Sequence, residues 1–304
     1  MDSIYSPVFT KVASGLAGAE GPVFTAGGAK FFMVAPEVEV GGEAAGEVVR
    51  VDLSTNAIDT WCQPSTKEHG GIPAGCQTDK DGNIWIADMR LGLLKVNSEE
   101  KDQFAQMALK DSTGRTMQGC NDLAFDSTGT LWITAPAGDI APAKYTRSME
   151  DGFGSIYCYT KAGEMILLET GFRFSNGIAV TKDDKTLIVA ETPTKSLWAY
   201  DIQEPGKIAN KRLWGKLPGD HEGGPDGMDF DEEGRLLVAN WGSYHLDVFS
   251  PAGELVKRVK CPFRNPSNVH FMPGSRKVYV TEHEFHGVWT FDWECCGQKQ
   301  FCDQ

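Results

Sequence analysis

Hydrophobic residues along this chain fall into short runs and not into helical stripes. Phe31-Phe32-Met33-Val34, Ile84-Trp85-Ile86-Ala87, Leu131-Trp132-Ile133-Thr134, Leu187-Ile188-Val189-Ala190, Leu236-Leu237-Val238-Ala239 and Val278-Tyr279-Val280-Thr281 each follow a cluster of Asp, Asn, Gly, Ser or Lys. Four to six apolar residues entered through such clusters are strand and hairpin signals. A second, alternating stretch comes after each run, as in Glu47-Val48-Val49-Arg50-Val51, Gly92-Leu93-Leu94-Lys95-Val96, Ser155-Ile156-Tyr157-Cys158-Tyr159 and Gly287-Val288-Trp289-Thr290-Phe291. That period of two predicts further strands of the same sheets.

Ahead of each first run stands a six-residue phrase, most legible as Asp226-Gly227-Met228-Asp229-Phe230-Asp231. Its copies begin at Glu20, Ala74, Asn121, Asn176, Asp226 and Ser267, at separations of 54, 47, 55, 50 and 41 residues. The interval is that of a propeller blade and too long for ankyrin or tetratricopeptide units. Six units of about four strands predict an all-β protein, a six-bladed β-propeller of antiparallel blades that occupies residues 1–304 as a single domain. Phe9-Thr10-Lys11-Val12 belongs to no unit and is expected to complete the outer strand of the last blade. The long connections 64–72 and 138–153 are expected on one face of the disc, where they would shape a pocket.

Composition narrows the function classes. A net charge of −13 over 304 residues argues against a nucleic-acid surface, which needs clustered Lys and Arg. No apolar run approaches the ~20 residues of a membrane span, and the start Met1-Asp2-Ser3-Ile4-Tyr5-Ser6 has no basic and apolar leader. The expectation is a soluble cytoplasmic monomer with neither nucleic-acid nor membrane partners. The eight cysteines include no Cys-x-x-Cys and read as buried free thiols. The neighbours Cys295 and Cys296 are the place to look for oxidation.

Candidate chemistry comes from the repeat register. In a propeller the innermost strand of each blade lines the central tunnel, so equivalent positions form a ring. Four of the six first places, Glu20, Asn121, Asn176 and Asp226, carry amide or carboxylate oxygens. Any one of them alone would more often be a turn former, but a turn requirement does not concentrate oxygen donors at one repeat position. Two carboxylates and two amides converging from different blades suit a hard cation, and Ca2+ better than Zn2+. The fourth places are Val23, Gln77, Ala124, Ala179, Asp229 and His270. Side-chain alternation is expected to set them deeper in the tunnel, where Asp229 and His270 could hold a second ion, or His270 could be a packed imidazole.

Around the mouth the register places Glu37, Met89, Pro136, Thr192, Trp241 and His283, to which the loops add Ile72, Arg147, Met149 and Phe174. This is an apolar pocket with few polar handles. Phosphate-loop, dinucleotide and Gly-x-Ser-x-Gly patterns are missing.

The segments Ala19-Glu20-Gly21-Pro22-Val23-Phe24, Gly119-Cys120-Asn121-Asp122, Asn176-Gly177-Ile178-Ala179-Val180 and Pro225-Asp226-Gly227-Met228-Asp229-Phe230 resemble the gluconolactonase/regucalcin superfamily. Val34-Ala35-Pro36-Glu37-Val38, Gly70-Gly71-Ile72-Pro73-Ala74, Ala87-Asp88-Met89-Arg90-Leu91, Tyr145-Thr146-Arg147-Ser148-Met149 and Val189-Ala190-Glu191-Thr192-Pro193 are similar, nearly end to end, to its diisopropyl-fluorophosphatase-type branch of calcium-dependent phosphotriesterases. The resemblance implies two Ca2+ ions. One is catalytic, on Glu20, Asn121, Asn176 and Asp226; the other is structural, on Asp229, His270 and the backbone oxygen of Val269, where the family usually has Leu.

The implied activity is hydrolysis of small neutral organophosphorus triesters and fluoridates. Attack is expected from the Asp226 carboxylate, with attack by water and Asp226 or Glu20 as base left open. His283 is a further candidate catalytic group. A calcium-dependent lactonase and a non-catalytic calcium-binding propeller are the alternatives.

Overall fold

Where the sixth place of the repeated phrase is Asp, its side chain closes the hairpin. Asp79 Oδ1 accepts from the amides of Asp81 and Asn83 at 3.0 and 2.8 Å, and Asp79 Oδ2 accepts from Trp85 Nε1 at 2.8 Å. Asp126 does the same for Thr128, Thr130 and Trp132, and Asp231 for Glu233 and Arg235. A short carboxylate that caps its own turn and fastens a Trp across it explains why Asp precedes these runs.

The computed structural model describes residues 3–117, 119–136 and 152–304. Among these, six antiparallel sheets follow one another in chain order. The first blade pairs Glu20–Phe24, Phe31–Ala35, Glu47–Val51 and Ile58–Cys62 from the axis outward, and the fourth pairs Ser175–Val180, Thr186–Glu191, Ser196–Glu204 and Lys207–Lys216. The innermost strands of the others are Pro73–Thr78, Leu123–Phe125, Pro225–Phe230 and Pro266–Phe271. Successive innermost strands pack side by side around a closed ring. The all-β six-bladed propeller expected from the repeat is the fold observed.

The hydrophobic core is divided into wedges between neighbouring blades. Val23, Phe32 and Val34 meet Cys76, Ile84 and Ile86 between the first two, and Leu237, Leu246 and Val248 meet Val269, Phe271 and Val280 between the last two. Six such wedges run round the disc. This is why both faces of the second strand in each blade are apolar and the runs read as continuous.

Thr10–Ser14 pairs antiparallel with Gly287–Asp292 and completes the sixth blade, as anticipated. Ser3–Tyr5 goes further: it adds a parallel fifth strand on Leu255–Lys260 of the fifth blade, so one N-terminal segment staples two blades and covers two edges. The cysteines are all free, with Cys62, Cys76, Cys120, Cys158, Cys261 and Cys302 buried. Among the described residues no helix is long and apolar enough to cross a membrane.

Candidate metal centre

The fourth place lies three positions beyond the first, an odd step that in a regular strand would send the two side chains to opposite faces. Alternation alone therefore does not put both in the tunnel. A register shift does: the pairing slips between Glu20 and Val23, between Ser175 and Ile178, between Pro225 and Met228, and between Pro266 and Asn268. The bulge re-aims the first place, a common device beside functional sites. In Pro225–Phe230 only Asp226 and Asp229 have access to solvent, the other four residues being buried.

Glycine at the second place lets the inner strands close up. A Cβ on Gly177 would lie 2.1 Å from the Asp226 carbonyl oxygen, one on Gly21 2.9 Å from that of Ala74, and one on Gly75 2.7 Å from that of Asn121. In these three the second place faces backbone of the first place of the next blade, whereas a Cβ on Gly227 would meet the Asn268 side chain.

Asn176 is held in a fixed orientation, its Nδ2 donating to Thr192 Oγ1 at 3.0 Å. Its side chain also acts to lower the Asp226 pKa from the neighbouring blade. Asn121 is set at the head of its blade by its amide, 2.8 Å from the Thr134 carbonyl oxygen. Two first places stand apart. Ala74 packs on Ile72 and Met89, while the fully buried Ser267 turns outward, donating to the Ala19 carbonyl at 2.9 Å beside Thr281 Oγ1.

The second places Asp122 and Asn268, absent from the sequence reading, replace glycine with polar side chains. Asp122 Oδ1 accepts from the Leu123 amide at 2.9 Å and Asn268 Oδ1 from the Val269 amide at 2.8 Å. The Asn-Asp dipeptide at 121–122 was the one available signal.

Carboxylates crowd the axis. Burial first, and then the charges of Glu20 and Asp122, push the Asp226 carboxyl well above its ordinary range, against the hydrogen bond from Asn176. Asp122 is pushed up to about 8, chiefly by burial and also by Glu20 and Asp229. Among the described residues none of Glu20, Asp122, Asp226 and Asp229 is paired with Lys or Arg. Anionic oxygens gathered in a buried tunnel without a basic counter-charge require either protons or a cation. No three His, Cys, Asp or Glu side chains cluster as metal ligands among the described residues, so a cation at the ring must take amide oxygens as well. That donor set fits a hard ion and not zinc.

Deeper in the tunnel, Asp229 Oδ2 lies 3.4 Å from His270 Nδ1 and accepts from the Phe271 amide at 2.9 Å. Burial outweighs the Asp229 charge and holds the His270 ring below its usual value, so the ring is the neutral form that ligates metals. The pair and the neighbouring backbone oxygen of Val269 are compatible with a second hard-cation site.

At the mouth, Glu37 is exposed, Ile72, Thr192 and Trp241 are half-buried and Phe174 is buried. The Thr192 hydroxyl donates to the Pro225 carbonyl at 2.7 Å, so its polarity is spent on the ring and not on the pocket. Arg147 and Met149 lie outside the described residues. Trp241 Nε1 donates to His283 Nδ1 at 3.2 Å, which in the neutral ring puts the proton on Nε2, 3.4 Å from Glu20 Oε1. Burial lowers the His283 pKa, but Glu20, Glu37 and Glu282 together more than offset it and the net shift is upward. Nδ1 of this histidine is engaged by Trp241, while Nε2 faces Glu20 without a hydrogen bond of normal geometry.

Comparisons with known proteins agree with this architecture. The family described as SMP-30/Gluconolactonase/LRE-like region matches residues 19–284. The chain is 57% identical over 99% of its length, and 96% of the relative's, to a diisopropyl-fluorophosphatase from Loligo vulgaris. It is 23% identical to a gluconolactonase from Zymomonas mobilis over 80% of this chain and 69% of that one. Among solved structures, a calcium-binding regucalcin from Agrobacterium tumefaciens superposes with a TM-score of 0.78 at 18% identity, covering 99% of this chain and 98% of the other.

Proposed function

We propose that this chain, which belongs to the SMP-30/gluconolactonase/LRE-like family, is a calcium-dependent hydrolase of organophosphorus triesters and fluoridates. The activity class is supported by the 57% identity to a diisopropyl-fluorophosphatase over nearly the whole of both chains. A lactonase reading has weaker support, in relatives near 23% identity. The observation that carries a cation at the axis is the gathering of Asp122, Asp226 and Asp229, whose ionisation burial opposes, around Glu20, with no described Lys or Arg paired to any of the four.

Glu20, Asn121, Asn176 and Asp226 would hold a catalytic calcium ion, and Asp229, His270 and the backbone oxygen of Val269 a structural one. The first ion, when bound, supplies Lewis-acid polarisation of the phosphoryl oxygen. Asp226 carries the attack: a carboxylate oxygen bonds to phosphorus, fluoride leaves with its electron pair, and water then cleaves the resulting acyl phosphate, restoring the carboxylate. A carboxylate nucleophile needs no base for its first step, and none is asked of His283. Thr192 keeps the Asn176 amide aimed, and Ile72, Phe174 and Trp241 offer apolar surface to the substrate's alkyl groups.

The test is fluoride release from diisopropyl fluorophosphate with and without a calcium chelator, in the wild type and in Asp226→Asn. Turnover is expected only in the calcium-loaded wild type, while the variant folds and is inert. Undiminished turnover in the chelated wild type would remove the calcium role, and undiminished turnover in Asp226→Asn the nucleophile.

A further inference from the structure

The face of the disc opposite the ring is crossed by the last residues of the chain. Segment 297–304 touches every blade as it goes. The Gly297 amide donates to the Ser275 carbonyl of the sixth blade at 3.3 Å, and the Gln298 amide to that of Phe230 in the fifth at 2.8 Å. Gln298 Nε2 donates to the Val180 carbonyl of the fourth at 3.1 Å. The Phe301 ring lies 4.5 Å from that of Phe125 in the third, under Lys80 of the second at 4.9 Å. In the first, Cys302 Sγ reaches the Phe24 carbonyl at 3.8 Å and Asp303 Oδ1 accepts from the Gly27 amide at 2.7 Å. Gly297 is where the segment turns in: a Cβ there would stand 2.3 Å from Phe271 Cβ.

A further contact of the segment reaches a side chain inside the tunnel. Gln300 Nε2 donates to Asp229 Oδ2 at 3.2 Å, the same oxygen that lies beside His270. Gln300 also borders a cleft of about 780 Å³ on this face, together with Gln77, Phe125, Val180 and Gln298, whereas neither Asp229 nor His270 lines it. The amide therefore stands between open solvent and the lower carboxylate while fixing the carboxylate's orientation. Partners that orient a ligand from behind typically change metal affinity by about 10–100-fold when removed.

We propose that segment 298–304 is the retaining latch of the lower cation and that Gln300 is its positioning residue. The proposal rests on the reading of Asp229 and His270 as a cation site. Departure of the ion through this face requires Gln300 to swing away from Asp229, which is coupled to detachment of a segment held at six points. The upper site opens on the other face and does not depend on this step.

The test is calcium release, not catalysis. Calcium-loaded protein is mixed with the fluorescent chelator quin-2 in a stopped-flow instrument, for the wild type, for a chain ended at Gly297 and for Gln300→Ala. Two ions are expected to leave in two phases, with the slow phase accelerated about tenfold or more in both variants and the fast phase unchanged. If the shortened chain does not fold, Gln300→Ala carries the test. An unaltered slow phase in that variant overturns the latch, as does equal acceleration of both phases, which would mean general loosening. Asp229→Asn separates this failure from failure of the underlying site: it should abolish the slow phase and leave one ion per chain. Retention of two ions, or a wild type that binds only one, would overturn the lower site and the latch with it.

Discussion

Asn176 Nδ2 and Thr192 Oγ1 lie 3.0 Å apart, and the same hydroxyl donates to the Pro225 carbonyl at 2.7 Å. One threonine of the fourth blade thereby ties a ring amide to the residue that precedes Asp226 in the fifth. Thr192→Val keeps the shape and removes both hydrogen bonds. Calcium affinity of the upper site, read by titration calorimetry, is expected to fall about tenfold, whereas Thr192→Ser should retain it. Equal affinities in Val and wild type would show that Asn176 is aimed by something else.

Gly177 has an ordinary backbone conformation; what it lacks is room, since a Cβ would meet the Asp226 carbonyl oxygen at 2.1 Å. Gly177→Ala should cost about 1–3 kcal/mol of stability in urea denaturation and should depress fluoride release as well, because Asp226 is the atom group displaced. A variant with normal stability and turnover would mean that the inner strands are not packed as described.

Asp226 sits among Glu20 and Asp122 with its carboxyl pushed well above the ordinary range by burial and by those charges. A carboxyl raised by folding contributes stability at low pH that is lost as the group ionises. In chelator at pH 8, Asp226→Asn should therefore melt higher than the wild type, by an amount on the order of 1 kcal/mol. In saturating calcium the order should reverse, since the wild type gains binding free energy that the variant lacks. The same ranking in both conditions would contradict an ion on Asp226.

Asp88, fully buried at the end of the second strand of its blade, accepts from the Arg90 and Leu91 amides at 2.8 and 2.7 Å through Oδ1, while Oδ2 has no hydrogen bond of normal geometry. Burial pushes it from 3.8 up to about 6. Its contribution is thus complete below the unfolded value and disappears as pH rises through the folded one. Asp88→Asn should remove this loss, gaining on the wild type by roughly 2–3 kcal/mol between pH 3 and pH 8. Parallel stability curves for the two proteins would rule out an ionisation penalty at this site.

The repeat, the hairpins and the first-place donors could be read from the chain because each rests on short-range physics. An Asp at the sixth place caps its own turn, and a run of apolar residues declares a strand buried on both faces whatever lies beyond it. By contrast, the bulge that turns Asp226 and Asp229 toward one tunnel depends on how an inner strand pairs with its neighbour. The outward turn of Ser267 depends on the Ala19 carbonyl, 248 residues away. Thr192 and Gln300 act on atoms of other blades, and no local pattern distinguishes them from solvated polar residues. Local hydrogen bonding and periodicity are written in adjacent residues, so the sequence by itself determined the propeller and the four ring positions. Which side chains meet at the axis, and what holds them there, was decided only when strands about fifty residues apart closed into a circle, because that closure brings together groups whose separation along the chain carries no information about their contact.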